Sequence, residues 1–256
     1  MYKTVYCPFC GKKGAQELIF SFKRSKEGCR RFFRCHDDEQ PADICSSDTC
    51  SGGKKRGCGG IFVHPDCFIS AEAQKKRYLL HNNSLADKGY RSFLADFADT
   101  ALFYIKKLLG RPPHTVFDYG CGNGALVELL ASYTRSGLLP EDTEIRGWDP
   151  FFAPGVQFFP GGADAVLCLE VAEHFESPHE GFAGLARACK AGGILAVHTL
   201  FAPDNVDDFK SWWYKEDPTH VSFYTQKALE LCAKRAGFEY CGTYSNCSIL
   251  RAAFPR

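Results

Sequence analysis

Apolar residues in the second half of the chain recur with two different periods. Between Ser84 and Gly110 they fall three and four residues apart, which predicts an amphipathic helix ended by Gly110 and Pro112-Pro113. Beyond it, short apolar runs alternate with helical patterns: TVFDYG (115–120), ALVELLASY (125–133), EIRGW (144–148), DAVLCLE (164–170), EGFAGLARACKA (180–191), GILAVHTL (193–200) and QKALELCAKRAG (226–237). This alternation predicts an α/β fold with a doubly wound, mostly parallel sheet. The closing runs FEYCGTY and SILRAAF suit an antiparallel edge.

The same pattern divides the chain into three parts. Residues 1–68 hold few apolar side chains, and the polar, Ser- and Gly-rich stretch 36–57 within them predicts an inserted loop. Residues 69–112 form a helical connector, and residues 113–256 hold the strand–helix alternation. In this last part, the aromatic connection 201–224 is long enough to predict a functional lid near an active site.

Cysteine is concentrated near the beginning of the chain. Eight of the 14 cysteines lie within the first 67 of 256 residues. Cys7 and Cys10 are separated by two residues, the spacing that lets two thiolates reach one metal ion from a tight turn. Since residues 1–68 have too few apolar side chains to fill a core, a structural zinc ion would supply the missing stability.

Charge changes at about the same place. Residues 1–60 hold 12 Lys and Arg against 7 Asp and Glu (+5), whereas residues 61–256 hold 19 against 23 (−4). With 45% hydrophobic and 24% charged residues, the composition excludes wholesale disorder. The first residues, MYKTVYCPFCGKK, lack the apolar stretch of a secretory signal, and no 18 apolar residues run together. We therefore expect a cytoplasmic protein without a membrane partner, in which disulfides are not expected.

A glycine-rich turn follows the first predicted strand of the α/β part. The text is Asp118-Tyr-Gly120-Cys-Gly122-Asn-Gly124-Ala, and glycines at such a turn let a ligand approach free backbone N–H groups. The spacing satisfies the dinucleotide fingerprint, and it also has the form Asp-x-Gly-x-Gly-x-Gly seen with S-adenosylmethionine (SAM). Asp149 ends the next strand, where a carboxylate can hold the ribose hydroxyls of either cofactor.

A family resemblance distinguishes between these cofactors. The next strand ends in Glu170-Val-Ala-Glu173-His174, and the chain here resembles the class I SAM-dependent methyltransferases, whose fourth strand commonly ends in a segment like EVxEH. The resemblance covers about residues 78–256. It is strongest to the subgroup with a cysteine-rich N-terminal ribbon, which has segments like HNNSLADKGYRSFL (81–94) and DPTHVSFYT (217–225). It implies a Rossmann-like methyltransferase fold with SAM as the cofactor.

The resemblance also implies roles for individual residues. The glycines would face the methionine end of SAM, Asp149 would hold its ribose, and the segment after Leu169 would lie beside it. Residues 81–94 would lie over the cofactor, which makes residues 69–112 a cofactor cap, although Asn82 and Asn83 are explained equally well as helix caps. The predicted cofactor-binding residues are Asp118, Gly120, Gly122, Gly124, Asp149, Pro150, Phe151, Glu170, Tyr90 and His81.

One segment departs from the family pattern. Between Asp149 and Asp164 the family usually has a helix and a third strand, but here only residues 150–163 are available, and they are mostly Phe, Pro and Gly. The third strand must therefore be vestigial. Pro150 and Phe151 are candidate apolar neighbours for the adenine ring.

The resembling subgroup has a second cysteine knuckle after the first. Here Cys35 is followed by the insertion, and the similarity to the subgroup's sequence begins again at Cys58. We therefore predict a small zinc-ribbon-like segment whose closed structural site is formed by Cys7, Cys10, Cys35 and Cys58. Either downstream ligand could be replaced by Cys45 or Cys50. A second metal would draw on Cys29, Cys45, Cys50, Cys67 or His36.

Methyl transfer from SAM requires chiefly that a nucleophile be aligned with the S–CH3 bond. A hydroxyl or ammonium acceptor also needs a base, and histidine titrates in the useful range. His174, His198 and His220 lie after strand ends or in the long connection, on the ligand side of such a sheet. We predict His174 and His220 as the catalytic residues. An aromatic group either walls an acceptor pocket or packs the lid: Trp212, Trp213 and Tyr214.

Four functions are compatible with these features. The favoured one is methylation of a small-molecule acceptor. The alternative is an RNA or protein methyltransferase that docks through the basic zinc segment, where Lys54-Lys55-Arg56 and Arg30-Arg31 with Phe32-Phe33 suit phosphate contact and stacking. A non-catalytic zinc-ribbon protein is disfavoured by the intact glycines and Asp149. An NAD-dependent oxidoreductase is unsupported by EVAEH.

Overall fold

A computed structural model describes residues 6–11, 16–24, 28–35, 57–80 and 83–254. Several predictions from the sequence fall outside these residues: the insertion up to residue 56, the basic run Lys54-Lys55-Arg56, the candidate metal ligands His36, Cys45 and Cys50, and the predicted cofactor contact His81. The side chain of Cys29 also lies outside the description.

The described residues form strands and helices in alternation. The strands are β1 (Gln16–Arg24), β2 (Gly28–Cys35), β3 (Ile61–Val63), β4 (Thr115–Tyr119), β5 (Glu144–Trp148), β6 (Ala163–Leu169), β7 (Cys189–His198), β8 (Ser222–Phe223), β9 (Phe238–Tyr244) and β10 (Cys247–Ala252). The helices are α1 (Ala71–Tyr78), α2 (Lys88–Leu109), α3 (Ala125–Ser136), α4 (Pro178–Ala188), α5 (Val206–Ser211) and α6 (Gln226–Arg235). None of these helices combines the length and the apolar character that crossing a membrane requires.

Six strands form the central sheet, in the order β5-β4-β6-β7-β10-β9. The first four run parallel, and β10 runs antiparallel to both β7 and β9. Strand β6 lies in the middle and is buried along almost its whole length, as its continuous apolar run requires. The predicted α/β fold with a mostly parallel sheet is confirmed, and so is the antiparallel edge.

Two element boundaries differ from the prediction. Helix α2 begins at Lys88 and not near Ser84, because the Asp87 carboxylate accepts a hydrogen bond from the Tyr90 N–H at 2.8 Å and so caps the helix. Helix α4 ends at Ala188, because Cys189 pairs with Ala163 and begins β7. Sheet pairing here overrides a local helical pattern.

The segment between β5 and β6 is irregular, as predicted. Among its described residues the sheet pairing is limited to an isolated bridge between Asp149 and Ala153. Phe158 and Phe159 pack instead against Phe117 of β4, with ring centroids 4.8 and 6.2 Å apart. Two aromatic rings of this segment therefore pack on β4 in the sheet.

A second, antiparallel sheet joins the N-terminal part to the long connection. Its order is β1-β2-β3-β8, and β8 belongs to residues 201–224. Phe32 of β2, Phe223 of β8 and Phe209 of α5 are buried in one aromatic cluster beside this sheet. The beginning of the chain thus shapes the connection that follows β7.

Candidate functional site

A cleft of about 1290 Å³ opens where the carboxyl ends of the central strands meet. One wall is the glycine turn after β4 with the end of β5, and a second is the segment after β6. Residues 74–93 and 213–220 contribute the rest. A cleft at this edge of an open α/β sheet is the usual ligand position for this architecture.

The glycine turn is left-handed at all three predicted glycines. Gly120, Gly122 and Gly124 have φ of 86°, 52° and 87°, a region that favours glycine. A Cβ on Gly120 would lie 2.4 Å from the Val171 side chain, so this glycine lets the segment after β6 approach the turn. A Cβ on Gly122 or Gly124 would meet no atom within 4 Å. Gly120 and Gly122 line the cleft, and Gly124 caps α3 behind it.

The Asp149 carboxylate organises the backbone at the end of β5. It accepts hydrogen bonds from the N–H groups of Gly122 (3.1 Å), Phe151 (2.8 Å) and Phe152 (3.0 Å). The side chain is buried but lines the cleft together with Pro150 and Phe151. The structure therefore brings the predicted ribose and adenine candidates together beside the glycine turn.

Asp118 lies beneath this turn and is only 3% exposed. Burial, with a smaller contribution from the negative charge of Asp149, raises the pKa of Asp118 to about 7. A cation bound close to this carboxyl would favour its ionised form. Asp118 itself is absent from the described cleft lining, whereas Tyr90 of α2, another predicted contact, belongs to it.

Glu170 lines the cleft, but its carboxylate is engaged by the protein. It accepts hydrogen bonds from His198 Nδ1 at 2.8 Å and from the Tyr214 hydroxyl at 3.1 Å. The residue itself has φ of 52°, a costly conformation for a side chain with a Cβ. His198 packs against the rings of Phe93 and Phe97 and is absent from the described cleft lining. Its contacts are those of a positioning residue.

His174 and His220 lie together in the cleft, with ring centroids 4.8 Å apart. His174 Nδ1 lies 3.0 Å from the Thr219 carbonyl oxygen, and His220 Nδ1 lies 2.7 Å from that of Tyr214. Because a carbonyl only accepts, Nδ1 carries the proton in the neutral form of each ring, and Nε2 then presents a lone pair. Burial, with a further contribution from His174, lowers the pKa of His220 to about 4.

Glu173 is the site residue that sequence reasoning missed. The sequence analysis named Glu173 only as part of the EVAEH segment and gave it no role. Its side chain is completely buried and lines the cleft. The carboxylate lies 3.8 Å from His174 Nε2, and within the described chain neither of its oxygens has a hydrogen-bond partner. The available signal was two carboxylates and a histidine within five residues after a buried strand.

Tyr78, at the end of α1, was also not predicted. Its ring packs against Phe151 at 5.6 Å and edge-on against His174 at 5.4 Å, so it bridges the cofactor and histidine sides of the cleft. Burial raises the pKa of Tyr78 well above its usual value. The phenol therefore remains protonated throughout the physiological range.

The three aromatic residues of the long connection have different environments. Trp212 packs against Phe209 and Phe223 beneath the connection. Trp213 is 68% exposed and lines the cleft, whereas Tyr214 is fully buried and donates to Glu170. Only Trp213 is therefore placed to wall an acceptor pocket with an exposed ring.

The four cysteines predicted as zinc ligands converge at one point. Their sulfur atoms all lie within 4.8 Å of one another, with 3.5 Å both between Cys7 and Cys58 and between Cys10 and Cys35. Four sulfurs held 2.3 Å from one tetrahedral ion would be separated by roughly 3.8 Å, so the set fits a zinc ion. A hydrogen bond with Cys58 lowers the pKa of Cys35. Cys67 belongs to no such cluster among the described residues.

Among the described residues considered for RNA docking, Arg30, Phe32 and Phe33 are internal. The Arg30 guanidinium is buried and donates to the carbonyls of Lys215 (2.6 Å), Asp217 (3.0 Å) and His220. Phe32 and Phe33 are buried in the core beside the second sheet. Arg30 thus supports the backbone that carries His220.

Comparison with known proteins gives one family match. The family described as "Methyltransferase domain" matches residues 87–241, more than half of the chain. No curated protein matches the chain.

Several solved structures are similar to parts of the chain. A Burkholderia thailandensis 1,6-didemethyltoxoflavin N1-methyltransferase with bound 1,6-didemethyltoxoflavin and S-adenosylhomocysteine has 12% identity and a TM-score of 0.48, over 76% of this chain and 96% of that one. A SAM-dependent methyltransferase from Methanosarcina mazei has 12% identity and a TM-score of 0.41, over 55% and 93%. An O-methyltransferase family protein from Burkholderia thailandensis has 14% identity and a TM-score of 0.43, over 72% and 64%.

Proposed function

The chain belongs to the methyltransferase domain family, and from this premise we propose that it uses SAM to methylate a small-molecule acceptor by in-line displacement. One observation carries the proposal. The glycine turn and two histidines with free Nε2 lone pairs line the same cleft, so that a cofactor at one wall faces acceptor-binding groups at the other.

In this proposal SAM lies along the glycine turn. Its ammonium group would be near Asp118, its ribose near Asp149, and its adenine against Pro150 and Phe151. Asp118 is absent from the described cleft lining, and its place at the end of β4, directly before the glycine turn, is what supports the first of these contacts. Since Asp149 already holds the Gly122 N–H, the residue that would bind ribose also fixes the turn that receives the methionine end. Tyr90 would close the cofactor side from α2.

The acceptor would lie between Trp213 and the two histidines. Its nucleophilic atom attacks the methyl carbon of SAM, the S–CH3 bond breaks, and the electron pair stays on sulfur to give S-adenosylhomocysteine. The cleft contributes alignment and exclusion of water, which is the larger part of catalysis for an activated methyl group. His174 and His220 face the acceptor space through Nε2, because Nδ1 is committed to a backbone carbonyl in each.

The burial of the N-terminal aromatic residues favours a small acceptor over RNA. Stacking on nucleic-acid bases requires exposed rings, and both Phe32 and Phe33 are internal. Arg30 is committed to three carbonyl groups of the chain. Of the residues considered for docking, Arg31 alone is half-exposed within the described part, and it already contacts Asp66 at 3.3 Å.

We further propose that the four-cysteine cluster holds a structural zinc ion, so that the N-terminal segment belongs to the zinc-ribbon type. The mutual distances of the sulfurs support this assignment. Four thiolates leave no open position on the ion, so it would stabilise the segment and take no part in chemistry. Arg235 of α6 donates to the carbonyls of Phe9 and Cys10, which anchors the first knuckle to the methyltransferase domain.

The acceptor class is tested with methyl-labelled SAM. The purified chain is offered a small-molecule extract, total RNA and a protein fraction separately, and the label is followed in each. We expect the label to appear in a molecule of low molecular mass. In a separate mobility-shift assay at low ionic strength, we expect RNA not to shift the protein. Label in RNA or protein alone would contradict the small-molecule acceptor while leaving the methyltransferase itself intact.

A further inference from the structure

Three possible metal ligands converge inside the cleft. One ligand atom from each of Glu173, His174 and His220 lies within 4.8 Å of the other two. Glu173 and His174 come from the short 3-10 helix after β6 (Ala172–His174), and His220 comes from the long connection. The group therefore forms only when the connection is in place over the sheet.

The electrostatics of this group are incomplete without a cation. Glu173 has no exposed surface, and neither of its oxygens accepts a hydrogen bond from the described residues. The phenol of Tyr214 donates its hydrogen bond to Glu170, at 3.1 Å. A buried carboxylate that has lost its hydration and gained no donor is costly. The Nε2 atom of His174 lies 3.8 Å from the carboxylate, beyond hydrogen-bonding distance, and both histidines donate through Nδ1 to backbone carbonyls.

The outer contacts of the two histidines are those of metal ligands. A histidine that binds a metal through one nitrogen usually donates its other N–H to a carbonyl or a carboxylate, which fixes the ring and its tautomer. His174 does so to Thr219, and His220 does so to Tyr214. Arg30 in turn donates to the His220 carbonyl, so the backbone around this ligand is held from the second sheet.

We propose that Glu173, His174 and His220 bind a divalent first-row transition metal ion, with zinc as the reference ion, and that this ion holds the hydroxyl group of the methyl acceptor. Two imidazoles and one carboxylate are a known ligand set for catalytic zinc, with the next position open to water or substrate. All three residues line the cleft, so the open position faces the acceptor space. Glu170 stays outside the set, because its carboxylate is engaged by His198 and Tyr214.

This inference rests on the proposed function and gives the acceptor a chemical class. A hydroxyl bound to the ion loses its proton more readily, because the ion stabilises the alkoxide. The oxygen then forms a bond to the methyl carbon of SAM, the S–CH3 bond breaks towards sulfur, and the hydroxyl proton leaves to solvent. No electron is transferred to or from the ion. The histidines hold the ion in this scheme, and a separate protein base is not needed.

The test is a count of bound metal on the full chain. Protein is equilibrated with cobalt(II), dialysed and analysed for metal per chain, and its visible spectrum is recorded, because cobalt bound to thiolates shows sulfur charge-transfer absorption and cobalt bound to nitrogen and oxygen does not. The variants are Glu173→Gln and His174→Gln. The matched control is His114→Gln, since His114 also lies near a carboxylate, Asp142 at 3.7 Å, but belongs to no cluster.

We expect wild type and His114→Gln to bind one equivalent of cobalt without thiolate absorption, in addition to any metal held by the cysteines. Both cluster variants should lose that equivalent and keep the stabilisation by S-adenosylhomocysteine. A wild-type chain without such an equivalent, or variants that bind as much as the control, would overturn the metal site. If metal binds normally but S-adenosylhomocysteine does not stabilise the chain, the failure belongs to the proposed function instead.

Discussion

The cysteine cluster and the glutamate–histidine cluster are built in opposite ways. Each of the four cysteines is at least partly buried, all four face one another, and the surrounding contacts come from backbone groups and α6. The other group has three ligand atoms and lies in the wall of an open cleft. A closed set of four ligands favours stability, whereas an incomplete set beside a cavity favours chemistry. Their surroundings, more than their residue types, distinguish the two roles.

The two clusters are nevertheless connected. The second sheet carries Cys35 at the end of β2, and the same strand carries Arg30, which supports the backbone of His220. Strand β8 then joins the sheet only two residues after His220. The N-terminal segment therefore supports one wall of the cleft through Arg30 and β8, and the proposed zinc ion would stabilise that support.

The largest expected effect comes from opening the cysteine cluster. Cys7→Ser should lower the free energy of unfolding by about 4–5 kcal/mol, the range that accompanies loss of a structural metal. For a chain of this size that corresponds to a melting temperature lower by roughly 10–20 °C. Cys241→Ser, a partly buried cysteine outside the cluster, is the control and should change little. Equal stability of the two variants in thermal melts would contradict a structural metal.

The next effect concerns turnover. Glu173→Gln and His174→Gln should each lower kcat by roughly 10²–10⁴-fold, the usual loss when a group acting directly on the reacting proton or its oxygen is removed. The affinity for S-adenosylhomocysteine should be retained, because neither residue is among the proposed cofactor contacts. Calorimetric titration and single-turnover rates measure the two quantities separately. Unchanged turnover in both variants would remove this cluster from the mechanism.

The connection between the clusters is tested at Arg30. Arg30→Lys cannot reproduce the fork that contacts three carbonyl groups, so we expect a loss of about 2–3 kcal/mol of stability together with reduced turnover. Arg31→Lys, at the neighbouring and half-exposed position, should stay within about 0.5 kcal/mol of wild type. If urea unfolding shows the two substitutions to be equivalent, the second sheet does not support the cleft.

The smallest effect is a pH dependence of cofactor binding. Asp118 has a pKa of about 7, so it is mainly protonated at pH 6 and mainly ionised at pH 8. If the ionised form binds the cofactor ammonium, the affinity for S-adenosylhomocysteine should rise by up to about tenfold over this interval, following the ionised fraction. The isosteric Asp118→Asn should bind weakly and show a flat profile. A wild-type affinity that falls as pH rises would contradict the contact.

The alternation of strands and helices was enough to predict the central sheet, because buried parallel strands such as β6 have an unmistakable apolar run. The vestigial segment after Asp149 was also predictable from its length. Strand β8 was not, since two residues carry no periodicity and their pairing depends on β3, about 160 residues earlier.

The site was predictable to the extent that it depends on local sequence. The glycine turn and the cysteine knuckle could both be predicted from the spacing of their residues. The roles of Glu173 and Arg30 depend on burial and on partners distant in the chain. Neither the EVAEH motif nor the Arg30-Arg31 pair contains that information. Arg30 in particular suggested phosphate contact, whereas folding turns it towards the carbonyls of the long connection.

The central claim, that the cleft between the glycine turn and the segment after β6 binds SAM, is tested most directly by thermal unfolding with and without ligand. A ligand that binds only the native chain raises its melting temperature. We predict that S-adenosylhomocysteine raises the melting temperature in a concentration-dependent way and that NAD leaves it unchanged. Stabilisation by NAD alone would contradict the claim.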